Sequence, residues 1–239
     1  SYIRFAPQKS CEKGLSQRQA VEAVLQGIRR APIPCGLIVS MMRGNDPATH
    51  EANLITIDVA REFLGHGVVA VDLAGAEGLF PTSDFEYAFE KARHYHIPII
   101  IHAGEAAGAD SVWEAIQAGA VRIGHGVRGL EDKRVIDELV ARDITLELCP
   151  TSNIDTGIYH SYADYPLRRL LDAGVKVCVN TDDMTVSNTD LQQEWHHLIE
   201  TFQLHEFEIG HMLLNSVNAS FANEDLKQQL RAKVQKNYT

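Results

Sequence analysis

Positive charge is scarce in this sequence: 22 Lys and Arg stand against 32 Asp and Glu, a formal net charge of -10 over 239 residues. The acidic residues are spread along the chain, and no basic stripe is interleaved with aromatics. That balance excludes a polyanion such as nucleic acid as the expected partner. Cysteine is sparse as well. Cys11, Cys35, Cys149 and Cys178 form no C-x-x-C pair, and three of them sit in or beside apolar runs. They read as reduced, mostly buried thiols. No apolar run approaches the ~20 residues of a membrane-spanning helix, and the opening residues carry no charged-then-apolar segment. The expectation is a cytoplasmic protein with no membrane partner. No Pro- or Ser-rich linker divides the chain, so residues 1–239 are read as one domain.

What is present is an alternation. Seven short apolar, β-branched runs occur at Tyr2–Phe5, Gly36–Met42, Val68–Leu73, Pro98–Ile101, Val121–Gly124, Ile144–Leu148 and Val175–Val179. They are apolar on both faces, as buried parallel strands must be. Helical patterns separate them. Leu15–Arg30 opens on Ser16 with Gln19 three residues later, a capping box, and Val21, Val24, Leu25 and Ile28 line one face. Ser83 and Glu86 repeat that spacing ahead of Phe85, Ala88, Phe89 and Ala92. Val135, Ile136, Leu139 and Val140 form a further stripe. Pro166 opens a short helix that Gly174 is placed to end. The last ~50 residues lack strand patterns and read as helices packed on the sheet.

Repeated β-α units imply a parallel sheet with helices outside it. Two architectures fit, a doubly wound open sheet and a TIM-type (β/α)8 barrel. No Gly-rich phosphate fingerprint follows any strand, which weakens the first. Polar residues gather at the C-terminal ends of strand after strand, where barrel enzymes keep their chemistry, which favours the second. The expected fold class is therefore α/β, a TIM-type barrel with seven of eight strands recognisable, the first strand missing, and C-terminal helices.

Those strand ends carry Asp72-Leu73-Ala74-Gly75-Ala76-Glu77, His102-Ala103-Gly104-Glu105, Gly124-His125-Gly126, Cys149-Pro150-Thr151-Ser152-Asn153 and Asn180-Thr181-Asp182-Asp183. A parallel barrel would aim two His, one Glu and an Asp pair at one mouth. A single His or Asp ending a strand can merely cap a helix or satisfy loop backbone; four such ends in one chain point to a shared site. His with carboxylate suits zinc or another divalent ion. Glu105, three residues after His102, suits a general acid/base beside a metal ligand. His94 and His96 form an H-x-H but precede a strand, which puts them at the opposite end, as it does His66. His196, His197, His205 and His211 fall in the helical tail as surface or packing residues, and Trp113 and Trp195 are read as packing.

The strings Leu73-Ala74-Gly75, His102-Ala103-Gly104-Glu105, Ile123-Gly124-His125-Gly126, Cys149-Pro150-Thr151-Ser152-Asn153 and Asn180-Thr181-Asp182-Asp183 resemble the adenosine deaminase family, in its order and at similar spacing. The resemblance covers essentially the whole chain, and Ile3-Arg4-Phe5-Ala6-Pro7 looks like that family's second barrel strand. It implies a zinc-dependent hydrolysis of adenosine or 2′-deoxyadenosine to the inosine product and ammonia, in purine salvage. It implies that His102 and Asp182 are zinc ligands and that Glu105 protonates the purine ring nitrogen beside the attacked carbon. His125 would act on the zinc-bound water as base or electrostatic partner. Asp183 would hydrogen-bond the imidazole side of the purine, and the Gly75 N–H would contact its other ring nitrogen. A proton-donating Glu105 should have its pKa raised by burial. No H-x-E with P-C-x-x-C is present, which separates the chain from cytidine-type zinc deaminases.

Two departures concern substrate detail: Ala76 stands where the family usually has an acidic residue, and Met184 where it often has Pro. A larger departure concerns the front. A closed barrel needs eight strands and a catalytic zinc at least three protein ligands. The family takes the missing strand and two His ligands from one N-terminal H-x-H segment, and nothing before Ile3 or after Asp183 supplies it. The expectation is a sequence that starts late, whose 239 residues alone bind zinc weakly and deaminate poorly. The expected partner is a small purine nucleoside. The alternatives are a related aminopurine (adenine, AMP or a modified adenosine) as substrate, or a non-catalytic nucleoside-binding remnant.

Overall fold

The computed structural model describes residues 1–238. The chain forms two compact units: residues 1–103 with 114–121, and residues 104–113 with the chain from 122 onward.

In the first unit, strands β1 (Tyr2–Phe5), β2 (Gly36–Met42), β3 (Val68–Ala74) and β4 (Ile99–Ala103) alternate with helices α1 (Gln17–Ile28), α2 (Pro47–Phe63) and α3 (Glu86–His94). The strands pair in chain order and in parallel, with Ile3 opposite Leu37, Ile38 opposite Ala70 and Val71 opposite Ile99. The apolar runs explain why. Leu37, Ile38, Val39, Met41, Val71, Leu73, Ile100 and Ile101 are buried, so both strand faces need cover. Helices α1, α2 and α3 pack against these strands with Val21 and Leu25, Ile57 and Ala60, and Ala88, Phe89 and Ala92, all buried. Each large side chain so enclosed contributes roughly 1.5–3 kcal/mol. The Ser16 capping box forms as expected: Ser16 accepts from the Gln19 N–H and Gln19 returns the bond. The one expected at Ser83 does not. Thr82–Phe85 is a 3-10 turn, α3 begins after Phe85 with no side-chain cap, and the Ser83 N–H donates to Glu114 instead.

Helix α4 (Ala109–Gln117) is divided between the units. The second unit then holds β5 (Arg122–His125), α5 (Lys133–Ala141), β6 (Thr145–Leu148), α6 (Pro150–Asp155), α7 (Leu167–Asp172) and β7 (Lys176–Val179). Helices α8 (Leu191–Phe202), α9 (Glu206–Asn218) and α10 (Glu224–Tyr238) follow, so the tail is helical as expected. Strands β5, β6 and β7 again pair in order and in parallel, Ile123 opposite Leu146 and Leu146 opposite Val177. Val135, Leu139, Leu167, Leu170, Leu198 and Met212 are among the residues enclosed with them. Gly174 sits at φ +76°, in the left-handed region that ends α7. Among the described residues no helix is long and apolar enough to cross a membrane; of the cysteines, Cys149 and Cys178 are buried and Cys11 and Cys35 half-buried.

Candidate active site

Each unit carries its polar residues at the C-terminal ends of its strands. In the first, His102 lies on β4 beside Asp72 of β3. A buried carboxylate can be kept only if its oxygens are satisfied, and those of Asp72 are. Oδ1 meets His102 Nδ1 at 3.0 Å, and Oδ2 accepts from Ser40 Oγ at 3.1 Å. Burial alone would raise the Asp72 pKa. The charges of His102 and Arg4, with the hydrogen bonds from His102 and Ser40, outweigh it and hold the group at about 2. An ionised Asp72 accepts only, so His102 Nδ1 carries a proton toward it, while Nε2 faces Arg4 Nη1 at 3.4 Å. This is how a carboxylate prepares an imidazole for a metal.

Arg43, just past β2, is buried and spans the other side of this cluster. Its guanidinium donates to the carbonyls of Phe80 (2.6 Å) and His102 (2.7 Å) and to Thr82 Oγ1 (3.0 Å). Burial lowers its pKa, opposed by Glu77, Asp72 and Glu114. Gly75 follows β3 at φ +108°, where a Cβ would stand 3.3 Å from the Arg43 backbone nitrogen. Only glycine suits both that dihedral and that approach.

In the second unit Glu105, His125 and Asp182 come together. His125 Nε2 lies 3.4 Å from Glu105 Oε2 and 3.9 Å from Asp182 Oδ2. Asn153, fully buried in the first turn of α6, organises them. Its Nδ2 donates to Glu105 Oε1 (3.4 Å) and faces His125 Nδ1 (3.1 Å), while its Oδ1 accepts from Tyr165 Oη (3.3 Å). The amide nitrogen can only donate. His125 Nδ1 is therefore the acceptor, and neutral His125 carries its proton on Nε2, aimed at the two carboxylates. Ser152 Oγ donates to Asp182 Oδ2 at 2.7 Å. His125 and Asp182 both have positive φ, +61° and +56°. Such backbone costs of order 1–3 kcal/mol and collects at functional sites.

Asp183 is exposed, and its Oδ1 accepts from the N–H groups of Thr185 and Val186, both at 3.0 Å. That turn fixes the plane of its carboxylate. Cys149 Sγ, His125 and Asp182 offer ligand atoms all within 4.8 Å of one another. Within the second unit that donor set, an imidazole, a thiol and a carboxylate braced by Ser152, is of a kind that suits a divalent metal. The amino-acid pattern singled out Glu105, His125, Asp182, His102 and Gly75. It gave no role to Asp72, Arg43, Ser152 or Asn153, although Asp72, Ser152 and Asn153 stand in the strand-end strings and could have been weighed there.

Comparison with known proteins agrees. The profile of the adenosine deaminase family matches residues 2–237. The adenosine deaminase of Haemophilus ducreyi is 44% identical over 99% of this chain and 70% of its own length. Among solved structures, an adenine deaminase from Arthrobacter aurescens superposes with a TM-score of 0.88 at 27% identity, over 98% of this chain and 72% of that one. The Arabidopsis N6-mAMP deaminase gives 0.87 at 28% identity over the same shares. The fold class expected from the sequence, α/β of the TIM-barrel type, is borne out by this likeness.

Proposed function

Since the chain belongs to the adenosine deaminase family, a family of hydrolytic purine deaminases, we propose that its substrate is adenosine or 2′-deoxyadenosine and its metal a single zinc ion. His102 and Asp182 are the ligands it contributes from the motifs above. Zinc, when bound, supplies a nucleophilic water at neutral pH and positive charge beside the reacting carbon.

The chain's own residues do the rest. Glu105 holds a proton and delivers it to the ring nitrogen next to C6, so that electrons entering the ring on attack are neutralised. His125 presents Nε2–H toward Glu105 and Asp182 and steadies negative charge there; Asn153 keeps that tautomer by facing Nδ1. Asp183 accepts from the imidazole side of the purine, its plane fixed by the turn it caps. The Gly75 N–H meets the remaining ring nitrogen. Water is added, the C6–N bond breaks, and ammonia and the inosine product leave.

The observation that carries this reading is the Asn153-centred cluster, in which Glu105 and His125 meet one buried amide. The 44% identity to an adenosine deaminase favours the nucleoside. Adenine and N6-mAMP, named for the two solved structures at 27% and 28% identity, are the competing substrates. The sparse cysteines, with no C-x-x-C pair, and the charge of -10 fit a cytoplasmic salvage enzyme acting on a small molecule. The protein should release ammonia from adenosine with a kcat/KM above that for adenine, AMP or N6-methyl-AMP. A reversed order overturns the substrate assignment. Glu105→Gln should abolish turnover while leaving metal content unchanged; retained turnover overturns the proton-donor role.

A further inference from the structure

Glu194 is fully buried, ionisable and unused by the reaction described above. It lies in the first turn of α8, behind the Asp190 cap. Its Oε2 accepts from the Thr151 N–H at 3.1 Å, and its Oε1 accepts from Thr189 Oγ1 at 2.7 Å. Thr151 is the second residue of α6, and Thr189 ends the segment that follows β7. One carboxylate thus grips two segments that leave neighbouring strands. A second contact repeats the grip one turn along α8, where His197 stacks on Tyr162 with ring centroids 4.4 Å apart, and Tyr162 Oη meets Thr151 Oγ1 at 2.8 Å.

These contacts close a ring. From Glu194 the path runs to Thr151 and along the chain to Ser152. The 2.7 Å hydrogen bond then leads to Asp182, and the chain through residue 189 returns to Glu194. Asp182 sits in that ring at φ +56°. A strained residue keeps its place only when its surroundings over-determine it. A carboxylate taken out of water and satisfied by two charge-assisted hydrogen bonds is a stiff fastener for that purpose.

We propose that Glu194 is a positioning residue: it ties the α6 turn to the segment after β7 and so holds Asp182 in its ligand geometry. The proposal rests on the reading of Asp182 as a metal ligand. The side chain touches neither substrate nor metal and acts through Thr151, Ser152 and Thr189.

The test uses the protein and three variants. Glu194→Ala removes both acceptors. Glu194→Gln keeps an oxygen for the Thr151 N–H and lets Thr189 reverse its hydroxyl to accept from the amide, so it should behave as wild type. Thr189→Val removes one bond at nearly constant volume and serves if Glu194→Ala fails to fold. Losing two such bonds corresponds to about tenfold or more. In Glu194→Ala, amide exchange over residues 150–155 and 181–189 should therefore quicken about tenfold. Metal should pass to a chelator faster by a similar factor, and kcat should fall with KM within about threefold. In Thr189→Val the quickening should be confined to residues 181–189. Wild-type exchange in both segments of a folded Glu194→Ala protein overturns the proposal, as does a Glu194→Gln protein as impaired as the alanine variant. Faster exchange with unchanged metal retention upholds the fastening and overturns the ligand role of Asp182 instead.

Discussion

Replacing Asn153 by alanine tests the active-site reading most directly. The side chain is fully buried and its amide serves three partners: Glu105 at 3.4 Å, His125 Nδ1 at 3.1 Å and Tyr165 Oη at 3.3 Å. Alanine withdraws a donor from His125 and an acceptor from Tyr165, two groups themselves buried. Each such loss costs about 1–3 kcal/mol, so a fall in stability of about 3–4 kcal/mol is expected. The effect on rate has another origin. The amide holds Glu105 and His125 in register, and positioned acid–base groups are worth about 10²–10⁴ in rate. A loss of about 100-fold in kcat is therefore expected, with KM within about threefold because the proposed purine contacts at Gly75 and Asp183 are untouched. Asn153→Asp sharpens the test. It sets a second carboxylate 3.4 Å from Glu105 and an acceptor against His125 Nδ1, which moves the imidazole proton from Nε2 to Nδ1. Nitrogen NMR of His125 reads that change, and kcat should fall below that of the alanine variant. An Asn153→Ala enzyme within threefold of wild-type kcat, or an unchanged tautomer in Asn153→Asp, refutes the argument.

Two further expectations concern stability. Gly104, at φ +71°, would place a Cβ 2.3 Å from Val112 Cγ2. Gly104→Ala should lose about 3 kcal/mol and melt roughly 6–12 °C lower, and adding Val112→Ala should restore part of it; an unchanged melting temperature contradicts the packing described. Asp72 supplies the pH dependence. Its pKa is about 2 in the folded protein against a usual value of 3.8, so its contribution is complete above pH ~4 and is lost as pH falls through ~2, on the order of 2 kcal/mol. Denaturant titrations of metal-free protein at pH 5 and below should show that loss in the wild type and not in Asp72→Asn; parallel curves remove the assignment.

The strands were legible because burial on both faces leaves little room for polar residues, and β2 and β3 show it from Leu37 to Met41 and from Val68 to Leu73. The candidate residues were legible where a residue type suggests chemistry by itself, as with Glu105, His125 and Asp182, which the structure brings together. The site was illegible where the role exists only in three dimensions. Asn153, after Pro150, reads as an ordinary helix-start residue until His125 and Glu105 are placed against it. Glu194 reads as a solvated charge on a tail helix, yet it is enclosed. Helix α2 hid for the converse reason: Asn53 and Thr56 are polar and wholly buried, which blurs the apolar face that Ile57 and Ala60 would otherwise mark. At Ser83 the pattern misled, because Glu114 takes the backbone N–H that a capping box would have left to Glu86's turn.

The left-handed backbone at His125 and Asp182 sets heat tolerance against chemistry at the same two codons. Glycine at either position would relieve the dihedral cost while deleting an imidazole or a carboxylate that the proposed reaction uses. Selection of variants for thermal endurance alone should accumulate Asp182→Gly and His125→Gly, with melting temperatures that rise as turnover disappears. Selection that also demands product should hold both residues fixed and find its gains elsewhere. An Asp182→Gly protein that melts lower than wild type in the absence of metal would show that the Ser152 bond outweighs the strain it restrains.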